Sequence, residues 1–460
     1  MPMTIARVLA ERIAALRYDD LPTAALHWSR IALLDTIGVA LAGSTEDAPR
    51  IAAAMLGLEA GTGQSLVLGT ARRAAPLDAA FLNAISAHVL DFDNTTNSMG
   101  GHVSATIVPA LLAVAEAFDA RGCDVLVAHV AGFETGARLG CGVNFHHSEK
   151  GWHPTSTLGV FAVTAACARL LKLDVTQTET ALAIATSLAA GHKANFGTMT
   201  KSLHTGQCAR SGLMAALLAG RGFSANAAAF EHKQGFLEVF NGRGHYDVAR
   251  IVEAWGEPFD IVSPGAGYKQ YPCCASTQNA VDAALELVRN HGRFDAAAIK
   301  RIETETPPRG LTHTDRPDPQ SALEAKFSVQ YCVARALLDG DVLLRDFEGD
   351  AYREQAVRRL LALTQSRAQT ANAFGATVTV TLRDGTRLTA SVEQRVGKTA
   401  ANPIGAARMQ AKFEDCASRV LTPDVARAAY RTLSAFDEVA SVREFTRLLE
   451  PRHAAAAAVA

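Results

Sequence analysis

Apolar residues recur at helical spacing through most of the first 240 positions of this chain. The run from Thr23 to Gly43 shows it most clearly, with a glycine at the point where the pattern stops. The same period predicts helices over residues 77–90, 105–118, 124–139, 157–173, 176–190 and 205–220. The connections between them are short, which favours antiparallel neighbours and a compact bundle. Near Pro258 the texture changes. FDIVSPGAG reads as a short strand and a turn, 299–307 alternates apolar and polar like a half-buried strand, and 276–288 and 321–338 read as helices. ATVTVTLRDGTRLTASVEQ predicts a hairpin about Asp384-Gly385. Beyond Pro403 the pattern is helical again to 449, a tail expected to return to the first domain, and the closing AAAAAVA is expected to fray. The fold expected is mainly α. Residues 1–256 and 398–455 form a large all-helical domain, and 257–397 a smaller α/β (α+β) domain.

Length supports the division, since 460 residues exceed one ordinary core. With 48% hydrophobic and 20% charged residues, disorder is not expected. Aromatics are scarce at 6% and alanine is abundant, which suits closely packed helices. A net charge of −1 supplies no basic field for nucleic acid, so an anionic substrate must be drawn by a local group of cations. The first twenty residues are amphipathic and charged throughout, unlike a signal peptide. No uncharged run reaches the ~20 residues a membrane span needs. The eight cysteines include no C-x-x-C pair and read as reduced thiols, so the cytoplasm is the expected compartment. There is no P-loop, no dinucleotide fingerprint and no G-x-S-x-G elbow.

Four segments concentrate polar chemistry between apolar helices. AHVLDFDNTTNSMGGHVSATIVPA brings Asp91 and Asp93 to the end of one predicted helix and His102 and Ser104 to the start of the next. Its plain alternative is a loop with Ser104 as a helix cap. GWHPTSTLGV sets His153 ahead of an apolar helix that Thr155 or Ser156 is placed to cap. The neighbouring His146-His147 lacks any metal-ligand pattern. NFGTMTKSLHTGQCARSG puts Lys201 and His204 three apart, on one helix face. A lysine there can hold a carboxylate, or exchange a proton if its pKa falls; otherwise it is a solvated surface group. PGAGYKQYPCCASTQNAVDAA places Lys269 on a glycine-rich approach to a helix, and its adjacent Cys273 and Cys274 read as packing.

In this order the segments resemble the MmgE/PrpD family, which includes 2-methylcitrate dehydratase, cis-aconitate decarboxylase and iminodisuccinate epimerase. EAKFSVQYCVARALLDGDV and NPIGAARMQAKF extend the likeness over nearly the whole chain. The resemblance implies a helical domain built from both chain ends and an inserted α/β lid. It also implies a homodimer and a reaction without metal or cofactor on a small di- or tricarboxylate. By motif, Asp91 and Thr95 match D-F-D-[DN]-T, His102 the histidine of H-P-S, and His153 G-x-H-P; Lys201 and His204 match T-K-x-x-H, and Lys269 matches K-x-Y-P. Val103 stands where the family usually has proline, and Gln278 where a histidine is common.

The roles expected are His102 as acid/base, Lys201 and Lys269 as carboxylate clamps or the second acid/base, and Asp91 orienting His102 or a lysine. Thr95, His153, His204, Asp93, Ser104 and Gln278 are the expected substrate contacts. Dehydration of a 2-methylcitrate-like acid is the first expectation. Epimerisation and cis-aconitate-type decarboxylation are the alternatives, and a catalytically inactive dimeric ligand-binding homologue is the reading that Val103 and Gln278 favour.

Overall fold

The computed structural model describes residues 3–58, 63–370 and 375–451. The alanine-rich end expected to fray lies outside them. The chain is mainly helical and divides into two compact units: Met1–Tyr268 with Thr399–Ala401 and Gly405–Ala460, and Lys269–Lys398 with Asn402–Ile404.

The principal helices of the first unit are α1 Ile5–Ala15, α2 Thr23–Gly43, α3 Asp47–Met55, α4 Pro76–Val89, α5 Val103–Phe118, α6 Gly122–Val143, α7 Gly159–Leu170, α8 Val175–Thr186 and α9 Thr200–Ala219. Alanine and glycine recur on their buried faces among larger aliphatic residues. A Cβ on Gly206 of α9 would sit 2.7 Å from the carbonyl oxygen of Phe81 in α4, so the two backbones meet at a distance only glycine permits. α2 is apolar on nearly every side because α4, α5 and α6 all pack on it. It is long and apolar enough to span a membrane by length and composition, yet its buried face holds Asp35, which matters below.

The predicted strand at FDIVSPGAG belongs to this first unit, not to the smaller one. Residues 261–265 form an irregular helical turn, and only Ala266–Gly267 is strand (β2). It pairs antiparallel with β1, Thr95–Thr96, through Thr95↔Gly267. Asp260 is tied in by its backbone N–H to Glu134 Oε2 at 2.6 Å. The boundary expected at 257 therefore falls at Lys269.

In the second unit β3 Ile299–Thr306, β4 Thr364–Ala368, β5 Ala376–Leu382 and β6 Arg387–Val392 form one sheet in the order β4-β3-β5-β6. β3 and β4 are parallel and the other pairs antiparallel. Ile302, Val378 and Val380 point into a core shared with α10 Gln278–His291, α11 Val329–Asp339 and α12 Gln355–Leu363. The hairpin turns as predicted but over three residues. Leu382 and Thr386 bond through N–H to O at 2.8 Å, and Gly385 takes φ 94°, which favours glycine. The helix expected over 321–338 is broken, because Ser328 Oγ accepts from Tyr331 N–H at 3.1 Å and starts a new helix there.

The tail returns to the first unit as α13 Ala406–Ala417, α14 Pro423–Ser434 and α15 Val442–Leu448. α13 packs on α2, and Lys412 Nζ reaches Asp35 Oδ1 at 2.6 Å and the carbonyl of Phe92 at 2.8 Å. Both ends of the chain thus brace the turn that follows α4.

Candidate active site

That turn positions the site. After α4 ends, Asp91 takes φ 52°, a left-handed conformation that aspartate tolerates better than most residues. The reversal sends the next carboxylate, Asp93, into the interior. Two imidazoles meet its Oδ2: His88 Nδ1 from the last turn of α4, and His102 Nδ1 from the residue ahead of α5, each at 2.9 Å. The first is a hydrogen bond. The second has the distance of one without its alignment. The two rings lie edge to face, 4.5 Å between centroids.

Burial works against the charge on Asp93, but His102 and His88 outweigh it and hold the carboxyl well below its usual range. Burial pushes His88 down to about 4, so at neutral pH it is uncharged. An ionised carboxylate only accepts, which places the His88 proton on Nδ1 and leaves a bare Nε2. That Nε2 is buried with no hydrogen-bond partner among the described residues.

The other nitrogen of His102 faces Asp91, with Nε2 3.9 Å from Oδ1. The same oxygen accepts from Lys201 Nζ at 2.5 Å. Lys201 stands in the first turn of α9, where the helix dipole disfavours a cation. Asp91, not the helix, keeps it there. One turn on, His204 Nδ1 lies 3.2 Å from His153 Nδ1. Burial first, then neighbouring His88, Lys201 and His102, holds His153 well below the usual histidine range; burial also lowers His204. Both are neutral hydrogen-bonding groups near neutrality. Phe196 stands edge-on to His153 at 4.8 Å, with Lys201 Nζ 5.6 Å from its ring.

The structure therefore brings Asp91, Asp93, His102, His153, Lys201 and His204 together in the first unit. Thr95 lies on β1 beside the turn, its Oγ1 3.4 Å from the carbonyl oxygen of Gly267. Three expected substrate contacts are engaged by other protein groups. Asp93 is fully buried behind His88 and His102. Ser104 is fully buried, with Oγ on His129 Nε2 at 3.3 Å instead of capping α5. Gln278, in the second unit, is fully buried and donates its amide to the carbonyls of Tyr271 and Cys273. These side chains support the structure around them. Thr155 and Ser156 are not caps either: Thr155 Oγ1 accepts from His102 N–H at 3.1 Å, and Ser156 Oγ donates to the carbonyl of His204. Lys269 is the first residue of the second unit and is buried.

Sequence reasoning passed over His88, although it sits one helical turn before Asp91 in the same motif. It passed over Asp35 and Lys412 too, 377 residues apart, a pairing that no local pattern announces.

His88, Asp91, Asp93 and His102 offer donor atoms within 4.8 Å of one another, the spacing of a metal site. The donor set fits one poorly. Asp91 is already neutralised by an ammonium at 2.5 Å, which would repel a cation, and both imidazoles address one oxygen of Asp93. The arrangement suits proton handling instead. A buried carboxylate lies 2.9 Å from one nitrogen of the His102 imidazole, and the other nitrogen faces a carboxylate–ammonium pair.

A mainly helical unit carries this His–Asp–His and Asp–Lys cluster, and a smaller α/β unit is joined to it. Residues 7–249 match the MmgE/PrpD N-terminal domain and residues 271–437 the MmgE/PrpD C-terminal domain. The chain belongs to the MmgE/PrpD family. Human cis-aconitate decarboxylase is 28% identical over 468 residues, covering 98% of this chain and 95% of its own. The mouse protein of that name is 27% identical over 472 residues, with 98% and 94% covered. The one from Aspergillus terreus is 27% identical over 407 residues, with 82% of each covered.

Proposed function

We propose that this chain is a lyase acting on a small unsaturated or hydroxylated polycarboxylate, with His102 as the proton-transferring group and Lys201 as the cation that receives a substrate carboxylate. The observation that carries this reading is the pairing of Lys201 with Asp91 next to Nε2 of His102. Chemistry beside a carboxylate drives electron density toward a group that is already anionic, and a prearranged cation offsets that charge. An imidazole backed by a buried carboxylate supplies or removes the proton.

Decarboxylation of a cis-aconitate-like acid is the first form of this reading, supported by the names of the relatives above. The carbon–carbon bond to one carboxylate breaks and carbon dioxide leaves. The electron pair moves through the alkene, and His102 in its protonated form delivers the proton to carbon. Dehydration of a 2-methylcitrate-like acid, first on the motifs alone, is the second form. There a base takes the proton next to the carboxylate, and an acid protonates the departing hydroxyl. Lys269, matched by motif alone, is proposed as a further carboxylate contact.

The test is a panel of citrate-like and aconitate-like acids followed by proton NMR and carbon dioxide release. His102→Gln and Lys201→Ala are each expected to lower kcat by about 10²–10⁴, the range for loss of a positioned acid/base or charge-stabilising group. Near wild-type turnover in both variants would end the assignment.

A further inference from the structure

We infer that His88 and Asp93 form a positioning pair for His102, with His88 anchoring the carboxylate so that His102 is held in one tautomer with Nε2 facing the reaction side. The inference rests on the acid/base role proposed for His102 and adds two residues to it that touch no substrate.

The geometry is specific. One oxygen, Asp93 Oδ2, meets Nδ1 of both rings at 2.9 Å. Asp93 and His88 are fully buried, whereas His102 keeps 13% of its side-chain surface exposed. Only His102 can therefore exchange protons with anything bound outside; His88 is sealed behind it. A donor is needed at His88, because a buried carboxylate with a single weakly aligned partner is costly and free to turn. The hydrogen bond from His88 Nδ1 fixes the Oδ2 lone pairs. Asp93 then favours the neutral His102 tautomer with the proton on Nδ1 and leaves Nε2 bare, 3.9 Å from Asp91 Oδ1. The backbone restrains the ring as well, since His102 N–H is fastened to Thr155 Oγ1 at 3.1 Å. Behind the pair, Asn94 Nδ2 donates to Asp35 Oδ2 at 3.2 Å and Lys412 grips Phe92 O, so the turn carrying Asp93 has little room to shift.

The experiment is nitrogen-15 NMR on the full chain labelled at histidine, with resonances assigned by single His→Gln variants. In the unaltered protein His88 and neutral His102 are each expected as a single Nδ1–H tautomer. A His88 signal showing the proton on Nε2 overturns the inference without any variant being made. Asp93→Asn is expected to turn the His102 signal into a mixture of tautomers. It should lower kcat by ~10²-fold or more while KM moves only a few-fold, as when the orienting carboxylate of a catalytic histidine is lost. His88→Leu should disturb the His102 tautomer likewise, and His88→Gln, whose amide can still donate to Oδ2, should restore most of it. A His102 tautomer unchanged in Asp93→Asn, or equal behaviour of His88→Leu and His88→Gln, overturns the inference. The NMR readout needs no substrate. The expected tautomers without turnover of any acid would sink the lyase reading alone, and turnover with His102 indifferent to Asp93 would sink only this one.

Discussion

Replacing Lys412 with methionine is the sharpest test of how the site is held. The Lys412 and Asp35 side chains are 3% and 0% exposed, and the ammonium also lies 3.8 Å from the centroid of the Phe92 ring. Methionine roughly keeps the volume but removes the cation. A buried carboxylate is left uncompensated, at a cost of about 3–5 kcal/mol, and Phe92 O loses its donor for about 1 kcal/mol more. Burial already raises the pKa of Asp35 against the pull of Lys412, and losing that cation raises it further. A carboxyl whose folded pKa exceeds its unfolded value adds stability at low pH and loses it as pH rises through the folded value. The deficit of Lys412→Met should thus be largest near pH 8 and shrink toward pH 5. Urea unfolding followed by circular dichroism at pH 5, 6.5 and 8 measures it. Asp35→Asn combined with Lys412→Met should recover most of the loss, because no buried charge remains. A Lys412→Met protein within about 1 kcal/mol of wild type at pH 8, or a deficit equal at all three pH values, would refute this account.

Gly101→Ala would set a Cβ 2.7 Å from Thr155 N and 2.8 Å from its Oγ1, pushing away the hydroxyl that holds His102 N–H. Steady-state kinetics should show kcat lowered by ~10-fold or more with KM less affected, and unchanged kcat would count against the placement of His102. Burial pushes His129 down to about 3, so the unfolded chain gains its proton first. Folding stability is lost as pH falls from about 6.5 toward that value, by roughly 1.4 kcal/mol per pH unit at the steepest; His129→Gln should flatten this limb of a Tm-versus-pH curve. Lys201→Ala and Asp91→Asn, joined by an ion pair at 2.5 Å, should be strongly non-additive in log kcat/KM, and simple additivity would show that they act separately.

The fold was largely legible because its elements carry their own periods. Thr23–Gly43 is bounded in the structure where its apolar pattern begins and where its glycine ends it. Arg387–Val392 of the hairpin keeps the period of two that announced it, and in Ile299–Thr306 a register shift between Ile299 and Arg301 resets the alternation, which then holds from Ile302. What failed was local chemistry overridden by partners distant in sequence. FDIVSPGAG has strand composition, but its backbone is spent on Glu134 and on a short pairing with Thr95. In the site, Asp91, His102 and Lys201 could be nominated by type and motif. Asp93, Ser104 and Gln278 are polar residues in the same motifs, and what sets them apart is the set of protein groups each one meets in the fold. Those partners come from distant parts of the chain, so nothing in D-F-D tells the first aspartate, which meets Lys201, from the second, which meets two imidazoles.

That difference between the two aspartates also orders the proposed chemistry. Each lysine beside the turn has its own carboxylate, Lys412 on Asp35 and Lys201 on Asp91. Asp93 instead meets two imidazoles, of which burial keeps His88 neutral. Of the two lysine pairs, Lys412–Asp35 is sealed, whereas Lys201 and Asp91 retain 13% and 8% of their side-chain surface. On the proposed reading a substrate carboxylate competes for Lys201 and not for the sealed Lys412. As it draws the ammonium away, the negative charge of Asp91 is less compensated, and Asp91 Oδ1 lies 3.9 Å from His102 Nε2. On the proposed reading, one carboxylate replaces another on the same lysine, beside the imidazole of His102.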